Sequence, residues 1–230
     1  MVSKEGKDKY KYDKIYQKNG VLKKNSKSFS FSGTYEDFRK NNIEKKWEKY
    51  GHSNEGKIHY ERILELKPKS IIDIGCGGNE FCLNMKRRKR FLLSKRKFIG
   101  VDISSPYADV IAPAHNIPTV GNKEFDLLTS FDCIEHIPKE EIEASFEEFR
   151  RISKRVFLQI CLEFSPTTID NEELHVSIFP KDWWLNLANK FFDIAYGEVE
   201  GSAKFNKELN RVDYQKDSRV RELIIIGDCK

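Results

Sequence analysis

The stretch SIIDIGCGGNEF, residues 70–81, joins a continuous apolar run to three glycines at positions 75, 77 and 78. A short apolar run without polar alternation is the pattern of a strand covered on both faces. Glycines directly behind it let the backbone turn sharply and approach a ligand, and the helix N-terminus expected beyond them favours electron-rich groups. Strands ending in such a turn bind nucleotides at the C-terminal edge of a parallel sheet, where strand order reverses. A dinucleotide fingerprint would need glycine at 75, 77 and 80; position 80 is Glu80, so NAD is a poor fit.

Outward from this turn, strand and helix patterns alternate. KIHYERILELK (57–67) reads as a helix closed by Pro68, and a second helix is predicted from about 79 to 90. FIGVD (98–102), DVI (109–111), FDLLTS (125–130) and RVFLQICLEF (155–164) follow as strands. A helix from Pro138 to about Ser153 carries the apolar period of EEIEASFEEFRRI, and PKDWWLNLANKFF (180–192) forms another. DIAYGEVEG (193–201) and RELIIIGDC (221–229) complete the set with only a loop between them, so one of the two is antiparallel. The pattern predicts an α/β fold: an open, mainly parallel seven-stranded sheet with helices on both faces and a terminal antiparallel strand.

The chain has 230 residues, 39% apolar and 33% charged, enough for one domain with an appendage. Residues 1–64 read as a basic N-terminal arm and helical lid, and 65–230 as the ligand-binding domain. The arm is lysine-rich, with a Ser/Gly-rich end, and is expected to be loosely docked. TYEDFRKNNIEKKWEKYG (34–51) has helical spacing, and Trp47, Tyr50 and His52 lie where a substrate lid could use aromatic rings. The net charge of +5 is uneven, with KRRKRFLLSKRK at 86–97 holding much of the excess. Such a run is either a solvated surface or a phosphate-attracting one. Five scattered cysteines without a C-x-x-C pair suggest neither a disulfide framework nor a thiolate zinc site. No run approaches the ~18 apolar residues of a membrane span, and no signal peptide is evident; a cytoplasmic protein without membrane contact is expected.

Asp73 before the turn, the C-G-G turn itself and an acid at Asp102 ending the next strand form a set that resembles the class I S-adenosylmethionine-dependent methyltransferases. The resemblance spans about residues 65–228. It implies that Asp73, Gly75, Cys76 and Gly77 hold the methionine part of the cofactor, with Ser130 nearby, and that Asp102 takes the ribose hydroxyls, with Ile103 beside it. APAHNIP (112–118) looks like the adenine-binding loop, which places Ala114 and His115 at the base. Three departures stand out: Asn79 replaces the third glycine, Asp102 lies 24 positions after Gly78, more than the roughly 20 of dinucleotide folds, and Pro113 replaces the loop's customary acid.

Past the strand at 125–130, the segment SFDCIEHI (130–137) puts Asp132, Glu135 and His136 at i, i+3, i+4, on one side of a helical turn. His175, in ELHVSIF, follows the next strand and reaches the same sheet edge. No Pro-Pro-aromatic tetrapeptide or Pro-Cys pair is present for base methylation, so a hydroxyl acceptor leads. Two chemistries stay open: His136 or His175 as general base with Glu135 beside them, or a divalent cation, Mg²⁺ or Mn²⁺, held by Asp132, Glu135, His136 and His175. The acid-x-x-E-H pattern with a distant histidine looks like that of metal-dependent O-methyltransferases, with Asp132 where that pattern has glutamate. Trp183 and Trp184 cannot both face inward on one helix.

The expected function is S-adenosylmethionine-dependent O-methylation of a polar small-molecule acceptor, a sugar or glycan precursor. The alternatives are a nucleic-acid acceptor, the RNA ribose 2′-hydroxyl, and a methyltransferase-like binding protein without catalysis. Oligomeric state is not legible.

Overall fold

The computed structural model describes residues 29–31, 59–87, 97–165, 167–169, 172–206 and 211–230. The helix predicted over 34–51, with Trp47, Tyr50 and His52, and the middle of the basic run lie outside these residues. In chain order the elements are strand β1 (Phe29–Phe31), helix α1 (Tyr60–Glu65), β2 (Ser70–Ile74), α2 (Glu80–Arg87), β3 (Lys97–Asp102), β4 (Val110–Ile111) and β5 (Leu127–Phe131). A 3₁₀ turn (Ile134–His136) leads to α3 (Lys139–Ile152), β6 (Arg155–Cys161), β7 (Thr167–Ile169), β8 (Glu172–Glu173), α4 (Lys181–Phe191), β9 (Phe192–Asn206) and β10 (Arg211–Cys229).

Seven strands form one sheet in the order β4-β3-β2-β5-β6-β10-β9. The pairings among β2 to β6 are parallel, and β10 runs antiparallel to both neighbours. Strand order therefore reverses between β2 and β5, the switch point at which ligands bind such sheets, and the glycine turn leaves β2 there.

Two apolar layers cover the sheet, as the predicted alternation requires. On one face α3 offers Ile142, Phe146, Phe149 and Ile152 and α4 offers Trp184, Leu187 and Ala188; on the other, Tyr60, Ile63 and Leu64 of α1 and Phe81, Cys82 and Met85 of α2 pack on Phe98, Phe131 and Phe157. Every residue of β5 is buried. Each fully buried large side chain contributes about 1.5–3 kcal/mol relative to exposure. Of the tryptophan pair, Trp184 is the core residue, and Trp183 is half-buried with its ring 4.0 Å from that of Phe179. Pro138 flanks α3 as its N-cap rather than occupying its first turn. No helix among the described residues is long and apolar enough to cross a membrane.

Two features extend past the predicted elements. β9 and β10 continue pairing beyond the end of β6, from Glu200 with Val220 to Asn206 with Arg211, because a two-stranded ladder propagates without a third strand once its register is set. A second, small sheet also forms: β1 pairs in parallel with β7, which pairs antiparallel with β8. The Phe-Ser-Phe alternation of β1 is a strand pattern, and it ties this piece of the arm to the segment following β6.

Candidate active site

At the turn, Gly75 and Gly77 adopt φ of 71° and 52°, and Asn79 a φ of 58°. Left-handed backbone costs a side chain about 1–2 kcal/mol, least for asparagine, which is why Asn79 serves where a glycine is usual. The Gly75 and Cys76 amides donate to Val101 O at 2.8 and 3.0 Å, fastening the turn to β3. Asn79 Nδ2 donates to Tyr107 O and to Asp109 Oδ2, and the Gly100 amide donates to the same Asp109 oxygen. A Cβ on Gly100 would sit 2.4 Å from Asn79 Oδ1, so this crossing requires glycine.

Carboxylates flank the turn on both sides. Asp102 accepts the Gly77 amide on Oδ2 and the Ser104 and Ser105 amides on Oδ1, each at 3.0 Å. Asp73 lies deeper and accepts from Thr129 Oγ1 at 2.7 Å. Burial drives the Asp73 carboxyl up to about 7, with the Thr129 hydrogen bond opposing and Asp102 adding to the rise. The folded value thus exceeds the unfolded one: the protonated form's contribution to stability is complete below about pH 4 and is lost as pH rises through about 7. A ligand bringing a cation to Asp73 favours the ionised form. Affinity for S-adenosylhomocysteine, measured by calorimetry, is expected to strengthen as pH rises through about 7 and level off above it; a flat profile from pH 5.5 to 8.5 would exclude Asp73 as the partner of its ammonium group.

Other residues expected at the cofactor fall around the same edge. Ile103 is 63% exposed directly after Asp102. Ala114 and His115 are half-buried, and His115 Nδ1 lies 3.4 Å from Glu141 Oε2. Arg151 clamps their loop, reaching Ile117 O, Val120 O and Asn122 Oδ1 while paired with Glu148. Cys76 is buried. Ser130 is fully buried and donates to Ile74 O at 3.0 Å, holding β5 to β2 behind the turn.

Glu135, His136 and His175 converge so that one ligand atom from each lies within 4.8 Å of the others. The two rings meet edge to face, centroids 4.7 Å apart. His136 Nδ1 donates to Leu174 O at 2.9 Å and His175 Nδ1 to Glu163 O at 2.6 Å, which makes Nε2 the lone-pair nitrogen of each neutral ring. Burial holds both rings neutral: His136 falls to about 3, with His175 adding to the effect, and His175 to about 4. Glu135 is fully buried and neither carboxylate oxygen has a well-aligned hydrogen-bond partner; burial first, then nearby Asp132, pushes its carboxyl up, and the backbone amides of Glu135 and Cys161 oppose the rise.

Asp132, the fourth expected ligand, is outside this group. Its backbone is left-handed, φ 44°, and its carboxylate accepts from Gln159 Nε2 at 3.1 Å. A helical turn would have carried the carboxylate round with Glu135 and His136; the left-handed residue ahead of the short 3₁₀ turn does not. A divalent cation fits the remaining set: an orphaned buried carboxylate, two neutral imidazoles, and a backbone acceptor behind each ring, the arrangement that orients metal-binding histidines.

Sheet order, switch-point turn and flanking carboxylates together define a Rossmann-like protein of the S-adenosylmethionine-dependent methyltransferase class. A family model described as a methyltransferase domain matches residues 47–192, and the chain belongs to that family and is an enzyme of this class. Solved structures that share its fold include the following three. A possible histamine N-methyltransferase from Thermotoga maritima is 16% identical, with 86% of this chain and 100% of that chain covered at a TM-score of 0.54. An S-adenosylmethionine-dependent methyltransferase from Archaeoglobus fulgidus is 16% identical, with coverage of 75% and 92% and a TM-score of 0.52. The 1,6-didemethyltoxoflavin-N1-methyltransferase of Burkholderia thailandensis, solved with S-adenosylhomocysteine bound, is 12% identical, with coverage of 84% and 87% and a TM-score of 0.52. No curated protein sequence matches the chain. These likenesses are of fold alone and leave the acceptor atom open.

Proposed function

We propose that the enzyme methylates a hydroxyl of a polar acceptor, a sugar or glycan precursor, with a divalent cation held by Glu135, His136 and His175. The convergence of these three groups, with a buried carboxylate that lacks a well-aligned partner and both Nδ1 atoms turned onto backbone carbonyls, carries the reading. A general base works best with a pKa near the operating pH, and imidazoles held at about 3 and 4 are far below it. They are well suited as neutral ligands.

Asp73, Gly75, Cys76 and Gly77 hold the methionyl part of the cofactor, Asp102 the ribose, and Ile103, Ala114 and His115 the adenine. The acceptor oxygen attacks the sulfonium methyl carbon in line with the breaking C–S bond, S-adenosylhomocysteine leaves with the bonding electron pair, and the hydroxyl proton passes to solvent water. Holding the two reactants in line supplies much of the rate. A bound Mg²⁺ or Mn²⁺ would stabilise the alkoxide character of the acceptor oxygen.

His175→Ala is expected to weaken Mn²⁺ binding, followed by electron paramagnetic resonance, by about tenfold or more while S-adenosylhomocysteine affinity is unchanged. Absence of Mn²⁺ binding by the wild-type chain, with and without S-adenosylhomocysteine, would remove the cation from the reading. Transfer of labelled methyl groups to a panel of sugars, glycan precursors and small RNAs identifies the acceptor. RNA is the second reading, favoured by the pairing of β1, from the lysine-rich arm, with the segment following β6 that also carries His175; its mark would be binding that falls steeply with salt.

A further inference from the structure

A chain of three side chains enters the site from the far side of the sheet. His59, ahead of α1, is 2% exposed, and its Nε2 lies 2.6 Å from Gln159 Oε1. Gln159, fully buried on β6, donates from Nε2 to Asp132 Oδ1 at 3.1 Å, and its backbone carbonyl oxygen accepts the Asp132 backbone amide at 3.2 Å. Asp132 is gripped twice by one residue at the point where the backbone turns left-handed. The imidazole is stacked on Phe131, 9° between planes and 6.0 Å between centroids, and touches Phe157 at 5.0 Å, so its direction is set by packing.

Only one proton arrangement satisfies the chain. A glutamine amide has a donor end and an acceptor end. With the NH₂ end toward the Asp132 carboxylate, the oxygen faces His59, and Nε2 must carry the imidazole proton. The other tautomer would turn the amide round and set its oxygen against the carboxylate. His59 Nδ1 is buried without a hydrogen-bond partner; in this tautomer it is an unsatisfied acceptor, and in the other it would be an unsatisfied donor. Burial holds His59 at about 4, so the ring is a neutral single donor.

We propose that His59 and Gln159 are positioning residues: the His59 Nε2–H fixes the direction of the Gln159 amide, and that amide holds the Asp132 carboxylate at the acceptor edge, ready to accept the hydrogen bond of the incoming hydroxyl. The proposal rests on the reading that the acceptor binds at this edge. It gives the excluded fourth acid a task beside the triad, and couples α1, where the chain enters the sheet, to the reacting end.

The test has an arm that needs no acceptor. Long-range ¹H–¹⁵N spectra of the full-length protein should show His59 protonated on Nε2, and the Gln159 side-chain amide should give a resolved pair of protons. His59→Leu should collapse that pair, and His59→Gln, whose amide nitrogen replaces Nε2, should restore it. With the acceptor from the methylation panel, His59→Leu and Gln159→Leu should lower kcat about tenfold to a hundredfold, with KM for S-adenosylmethionine unchanged and His59→Gln recovering most of the rate. A proton on Nδ1, or a Gln159 amide indifferent to His59→Leu, overturns the relay whatever the acceptor is. Correct tautomer and amide behaviour with kcat unchanged in His59→Leu also overturns it. If the spectra behave as expected and no hydroxyl acceptor is found, it is the functional reading that fails.

Discussion

Gly75→Ala is expected to abolish cofactor binding, with S-adenosylhomocysteine affinity in calorimetry falling at least a hundredfold, a factor worth about 2.7 kcal/mol. Gly75 has a φ of 71°, and an added Cβ would lie 2.2 Å from Cys133 Sγ and 2.6 Å from Cys133 Cβ. The backbone term costs about 1–2 kcal/mol, and overpacking typically adds about 1–3 kcal/mol. Relief requires moving either the turn or the start of the 3₁₀ segment, and so the proposed cofactor cradle or the cluster of Glu135, His136 and His175. Tm should fall by roughly 5–15 °C in a chain of this size. The contact also sets the rescue pattern. Cys133→Ala in the same chain leaves the 2.6 Å conflict and should restore nothing, whereas Cys133→Gly removes both close atoms, with Cα the next at 3.9 Å, and should restore part of the stability while the φ cost remains. Wild-type affinity in Gly75→Ala would show that this turn is not the cradle.

The strands and the glycine turn were legible because their signals are local: a two-sided apolar run, an acid at Asp73 and three glycines directly behind it. The helices α3 and α4 were legible for the same reason, since Ile142, Phe146 and Phe149 state their own period. What sequence could not show depends on pairs that meet only after the sheet forms. Asp132 and Gln159 are 27 positions apart and meet because β5 and β6 pair Phe131 with Gln159; His59 joins from 100 positions away. A polar residue in the apolar run RVFLQIC was the one signal for Gln159, and it names no partner. Thr129 was missed likewise, a hydroxyl in a buried strand whose partner Asp73 is 56 positions off. The exclusion of Asp132 from the triad turns on a backbone angle that spacing arguments assume to be helical. β1 was missed because three residues make a strand only when β7 is beside them.

Glu135→Leu is expected to separate stability from function in opposite directions. The native carboxyl is fully buried and neither oxygen has a well-aligned hydrogen-bond partner, the Glu135 and Cys161 amides offsetting only part of the cost, so the ligand-free fold bears the desolvation of a group it under-satisfies, about 1–3 kcal/mol. Leucine is similar in size and has no polar atom to desolvate; the ligand-free variant should melt about 3–8 °C higher than wild type. Glu135→Gln keeps two unsatisfied polar atoms and should gain little, which distinguishes polarity from shape. Mn²⁺ should reverse the ranking: at a hundred times Kd it stabilises wild type by about 2.7 kcal/mol and neither variant appreciably, and methyl transfer should be lost in both. A buried acid kept at a cost to the fold is expected where that acid has a ligand to hold. Should Glu135→Leu instead melt below wild type in the absence of cation, the carboxyl is satisfied within the fold and needs no cation to hold it in place.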